Sequence, residues 1–174
     1  MFSTEQLVVY PAQGVGKVER IETQEIGGSV AEFYIVRIMG NNITLFVPVK
    51  TARNVGLRNL SSKQECKKIF ASLKDRSDFT GYTGQNWNRR YREYSERLQT
   101  GALKDSCHVL KELLLISGEK ELSFGERRLL EQAMSLVSTE LAYVLGQDVL
   151  EVQKNIEELF ADVLKPAVSE ETQD

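Results

Sequence analysis

Cysteine, histidine and tryptophan are scarce in this chain of 174 residues, with two, one and one respectively. Cys66 and Cys107 lie far apart and show no CxxC spacing, so neither a disulfide framework nor a thiolate metal site is encoded, and a reducing cytosol is the expected compartment. His108 cannot form a histidine metal site alone. In the run "CHVLKELLL" it is expected on a helix, with no ligand or catalytic role for it or for Cys107. The N-terminus has no signal-peptide pattern or long apolar run, and no membrane association is expected. Gly-rich phosphate loops, HExxH and GxSxG are missing, so no catalytic residue, metal or cofactor is expected, and an enzyme is disfavoured. Carboxylates such as Glu157 and Glu158 are adjacent on a helix, point apart and read as solvated. Excess positive charge is missing too. A net charge of −3 excludes coating nucleic acid by bulk charge, so any basic function must be local.

With 41% hydrophobic and 27% charged residues the chain is globular, one ordinary domain or two small ones. From residue 7 to 49 the apolar residues come in short β-branched and aromatic runs, "LVVY", "GVGKVERIE", "EFYIVRI" and "ITLFVPV". Pro11, Gly14, "GGS" at 27–29 and "GNN" at 40–42 break them, which predicts four or five antiparallel strands in a small, strongly bent barrel. Gly14 and Gly16 are candidates for bulges or bends. Pro48 has no amide hydrogen for a ladder, so its strand is an edge or simply ends there.

After residue 60 the period becomes helical. "SSKQECKKIFASLK" opens with Ser61 three residues before Gln64, "SFGERRLLEQAMSLVSTELAYVL" with Ser123 and Glu126 in capping-box register, and Asp148 is the expected N-cap of "DVLEVQKNIEELFADVL". "WNRRYREYSERLQ" and "ALKDSCHVLKELLLIS" stop at Gly101 and Gly118. The spacing predicts a bundle of about four helices. Residues 75–86 form a joint of undetermined stiffness, and the acidic "SEETQD" after Pro166 is expected to be disordered.

The block "NWNRRYREY" at 86–94 holds the single tryptophan among three arginines. If Asn86 or the preceding loop starts the helix, Trp87 lies in the first turn, where a side chain can project beyond the bundle. Within 85–104 the charge is +3 on a chain of −3. Two accounts are open. Trp87 and Tyr91 fill the inter-domain seam while the arginines pair with Glu93 and Glu96, or the guanidiniums meet phosphates while the indole wedges or stacks on bases. Lys111, Arg127 and Arg128 could extend the basic face.

Four segments in this order, "VVYPAQGVG", "VGLRNL", "NWNRRYREY" and "LSFGERRLLEQA", resemble the CarD/CdnL family of bacterial transcription regulators, over essentially residues 5–165. The resemblance implies an α+β fold of two domains. Residues 1–60 would be a small Tudor-like, SH3-like antiparallel β-barrel that binds the RNA polymerase β subunit, as in transcription-repair coupling factors. Residues 61–166 would be an all-α helical bundle contacting DNA, and 167–174 an acidic tail. The family's wedge tryptophan falls on Trp87 and its basic contacts on Arg89, Arg90 and Arg92, with Phe124 and Arg127 in or near the DNA-facing surface. Its polymerase-contacting strand maps to 44–48, with Phe46 and Pro48, and Val36 on the neighbouring strand. Some members carry arginines at the positions of Gln24 and Phe46, so the polymerase contact of this chain is expected to be hydrophobic rather than ionic. The implied protein is monomeric and cytoplasmic, reaches the nucleoid through RNA polymerase, and stabilises the promoter open complex through sequence-nonspecific minor-groove contact at the upstream edge of the bubble. The competing reading is a protein–protein scaffold with no DNA contact.

Overall fold

The computed structural model describes residues 1–82, 84 and 87–164. The β-branched and aromatic runs form β1 (Leu7–Tyr10), β2 (Gly14–Ile26), β3 (Ser29–Ile38), β4 (Thr44–Pro48) and β5 (Arg58–Asn59). They make one antiparallel sheet in the order β4-β3-β2-β1-β5. The expected barrel is not closed, because β4 and β5 are opposite edges that do not pair and β5 has only two residues to offer. The segment after β4, beginning with a 3-10 turn at Val49–Thr51, fills the open side instead. It adds Ala52 and Leu57 to a core with Val8, Val18, Tyr34 and Val47. β2 and β3 run further than their apolar runs suggest, and a Gly27-Gly28 turn with both φ positive joins their far ends. The ladder irregularity falls between Val18 and Arg20 rather than at Gly14 or Gly16. Gly16 is instead a close approach, where a Cβ would come within 2.7 Å of Val36 Cγ1.

Five helices follow rather than about four: α1 (Lys63–Lys74), α2 (Trp87–Gln99), α3 (Leu103–Ser117), α4 (Phe124–Leu145) and α5 (Val149–Leu159). α3 is apolar almost all round and lies centrally, packed by α1, α2 and α4, as a helix without a polar face must. Ser123 with Glu126, and Asp148, cap α4 and α5 at the expected positions. The cap of α1 is one residue later than expected: Ser62 and Glu65 form the box, because Ser61 is engaged by α4. The acidic tail, Pro166 and Asn86 lie outside the described residues.

The sheet and the helices meet at a polar clamp. Arg58 of β5 sets Nη1 and Nη2 against Glu140 Oε1 and Oε2 of α4, both at 2.8 Å. Its Nε and Nη2 also donate to the Gly101 carbonyl at 2.9 and 2.7 Å. Ser61 donates N–H and Oγ–H to Glu140 Oε1 at 2.9 and 2.8 Å. Both Glu140 oxygens are thus engaged although the residue is buried, the condition under which an ion pair out of water is tolerable. Beside the clamp, the β1–β2 turn wedges Pro11 against Gly101, where φ is +73° and an added Cβ would stand 3.0 Å from Pro11 Cγ. The connection between the halves is therefore the short 60–62 stretch, not 75–86. The described part of that segment is anchored within the helices, with buried Lys111 donating to the Asp75 carbonyl and Asp78 Oδ1, both at 2.9 Å.

Candidate nucleic-acid interface

α2 and α4 begin side by side. At 100° per residue Trp87, Tyr94 and Leu98 share the inward face of α2, while Arg89 lies opposite, turned to solvent. Tyr94 and Leu98 are buried, but Trp87 is only half-buried because it occupies the first turn, where the bundle beneath it ends. Its ring packs edge-on to Tyr91, with centroids 5.4 Å apart, and its Cζ2 lies 2.9 Å from where Gly125 of α4 would carry a Cβ. The indole is thus neither sealed in the core nor part of the sheet–helix seam. That seam lies near Gly101, at the other end of the 13-residue helix, roughly 18 Å away.

Arg89, Arg92, Arg127 and Arg128 are exposed, and among the described residues no carboxylate lies within ion-pair distance of them. Glu93 pairs with Arg97 at 3.4 Å rather than with Arg89, so the self-neutralised account of the block does not describe its outer arginines. Phe124 is 70% exposed in the first turn of α4, with the Arg128 guanidinium 5.8 Å from its ring centroid. Tyr91, 46% exposed, borders the same open groove as Phe124 and Arg128. Lys111 cannot extend this face, because it is buried against Asp78.

Arg90 differs from the other arginines of the block. Its side chain is only 12% exposed and donates to Glu126 Oε1 at 2.7 Å, while its guanidinium carbon lies 5.0 Å from the Tyr82 ring centroid and 5.5 Å from that of Trp87. Glu126 Oε2 accepts from Lys120 Nζ at 2.6 Å and from the Ser123 amide at 2.7 Å. Sequence reasoning identified Glu126 only as a cap. Its signal was the spare oxygen that a capping-box carboxylate retains after meeting one amide; Tyr82 and Lys120 gave none. Burial alone would raise the Glu126 carboxyl, but the Lys120 ammonium and the Ser123 amide outweigh it and hold the group below its ordinary 4.5. A depressed folded value contributes stability that is complete above the unfolded value and is lost as pH falls through the folded one. Fluorescence of Trp87 should therefore stay constant from neutral pH to about 5 and change only below the ordinary carboxylate range. A midpoint at or above 4.5 would contradict this.

The expected polymerase-side residues are split by strand alternation. Phe46 pairs across the ladder with Ile35 and Pro48 with Phe33, so these four share one face of the sheet. Phe46 is 54% exposed there, and β4 is a free edge. Val36 pairs with Leu45 on the opposite face and is fully buried in the core, so its side chain cannot meet a partner. Gln24 stands on β2 with its amide on Glu22 Oε2 at 3.3 Å. Among the described residues no cluster could hold a metal ion, and no helix is long and apolar enough to cross a membrane.

Residues 2–61 match the family model of the CarD-like/TRCF RID domain, and residues 68–157 that of the CarD C-terminal domain. The candidate transcription factor YdeB of Bacillus subtilis (strain 168) is 25% identical over 151 residues, covering 84% of this chain and 94% of its own. A solved structure, CdnLNt from Myxococcus xanthus, is 40% identical and covers 36% of this chain and 89% of its own, with a TM-score of 0.32.

Proposed function

The chain belongs to the CarD family of transcription factors, and from that premise we propose that it docks on the RNA polymerase β subunit and stabilises the promoter open complex by wedging Trp87 into the minor groove at the upstream edge of the bubble. The observation that carries this reading is a lone, half-buried indole at a helix start, beside Arg89 and Arg92, which no carboxylate among the described residues neutralises. Residues 1–60 deliver and residues 61–166 act. Phe46 and Pro48, with half-buried Phe33 beside them, offer the polymerase an apolar docking face along a free strand edge. Arg89, Arg92 and Arg127 take phosphates, with Arg128 as an addition, and Phe124 lies against the sugar–phosphate wall. The protein acts as a monomer in the cytoplasm and reaches the nucleoid with the polymerase.

Magnitudes favour a delivered helper. A few phosphate contacts give a non-specific Kd of only about 10⁻⁴–10⁻⁶ M. Binding to polymerase first makes the DNA contact intramolecular, at a far higher effective concentration. Promoter opening then shifts by the difference in affinity for open and closed forms, and about 1.4 kcal/mol moves an unfavourable opening equilibrium tenfold. A wedge is state-selective, because it enters only where a base step is already distorted.

Salt-titrated binding to a pre-melted promoter bubble tests the DNA contact. Replacing Arg89 and Arg92 together by alanine should reduce the slope of log affinity against log salt by about two, uniformly across promoter sequences. An unchanged slope would favour the scaffold reading. Replacing Phe46 by glutamate should abolish capture of the β subunit by the full-length protein, because it places a charge on a dry apolar contact; retained capture would move the docking site elsewhere.

A further inference from the structure

Resting on the reading of Trp87 as the wedge, we propose that the first turn of α4 sets the pose of the indole before DNA arrives: Gly125 admits one edge of the ring, and Glu126 holds the Arg90 guanidinium against it.

Gly125 adopts no left-handed backbone, so its conformation does not require glycine. What requires it is the indole: an added Cβ would stand 2.9 Å from Trp87 Cζ2 and 3.7 Å from Cε2. The second restraint comes from Glu126, whose two oxygens divide their work. Oε2 serves the cap and Lys120, and Oε1 serves Arg90. Thus anchored, the guanidinium lies between the Tyr82 and Trp87 rings, and Lys120 Nζ stands 5.0 Å from the same Tyr82 ring centroid. A planar cation fixed by a carboxylate and stacked on aromatic faces is an orienting device that a lysine at position 90 could not reproduce. Arg90 is on this account a positioning residue and not a phosphate contact. An indole already in place avoids the ordering cost that a free rotor meets on binding.

Two substitutions in the full-length protein separate this role from folding. Glu126→Gln keeps the capping box, since glutamine serves at that position, and removes the charge that anchors Arg90. Gly125→Ala improves helix propensity and obstructs the ring. Because Trp87 is the single tryptophan, acrylamide quenching of intrinsic fluorescence reads its accessibility without DNA. Both variants should raise the quenching constant about twofold, with Gly125→Ala melting no lower than the parent, and should shorten open-complex lifetime by at least about threefold while polymerase capture is unchanged. Unaltered quenching in both variants would overturn the proposal. So would altered quenching with an unaltered lifetime at a promoter where Trp87→Ala shortens it. If Trp87→Ala itself leaves the lifetime unchanged, the wedge reading fails, and the quenching result alone decides whether α4 poses the ring.

Discussion

Trp87→Ala should leave polymerase binding intact and shorten the open-complex lifetime at an unstable promoter about tenfold, as measured after challenge with a competitor. One stacked or wedged base step is worth roughly 1–3 kcal/mol, and the lower half of that range already gives a tenfold change. Polymerase capture is spared because Phe46 lies on the sheet, while Trp87 lies at the end of α2 away from the sheet–helix seam. The fold is spared because the ring is only half-buried and Tyr94 and Leu98 supply the inward face of α2 without it. A lifetime equal to that of the parent would remove the wedge from the mechanism. Trp87→Phe should fall between the two, since a smaller ring keeps stacking but fills less of a widened step.

The largest expected loss of stability is at Arg58→Ala. The substitution leaves Glu140 buried, with Ser61 as its remaining partner, and frees the Gly101 carbonyl. Breaking a buried ion pair from one side costs about 3–5 kcal/mol, and the partial exposure of Arg58 places the cost near the low end, about 3 kcal/mol. For a chain of this size that lowers the melting midpoint by roughly 6–12 °C. Replacing both residues by apolar ones should recover much of the loss, because the penalty lies in the uncompensated carboxylate rather than in the absence of the pair. Calorimetry of the single and double variants distinguishes the cases, and a single variant melting within a degree or two of the parent would mean that the clamp is not stabilising.

Local rules made most of the elements legible. Ser123 with Glu126 and Asp148 announced α4 and α5 because a cap is decided by atoms within one turn. Period-two runs broken by glycine and asparagine announced β1 to β4 for the same reason. What escaped was decided over long separations. Ser61 looked like the start of α1, but a carboxylate 79 residues away engages it and moves the cap to Ser62. Arg90 looked like its neighbours in "NRRYRE", yet helical phase turns it toward Glu126, 36 residues on, while Arg89 faces water. Val36 was displaced by burial that only the folded sheet shows: Tyr34, Ile35 and Val36 are all closed off from solvent, and the pairing of Val36 with Leu45 on the core face is not visible without the ladder. Strand number is readable from the sequence but strand length is not, so the strongly bent barrel stays open where β5, with two residues, is too short to complete it.

Only Leu60, Ser61 and Ser62 separate β5 from α1, and Ser61 and Ser62 are already committed to Glu140 and Glu65. A connector with no slack makes the molecule a caliper: wherever one jaw grips, the other falls at a set distance. A few glycines inserted after Asn59 would draw Ser61 off Glu140 but leave the span to Arg58 and to Pro11 against Gly101, so the setting slips only when that clamp is broken as well.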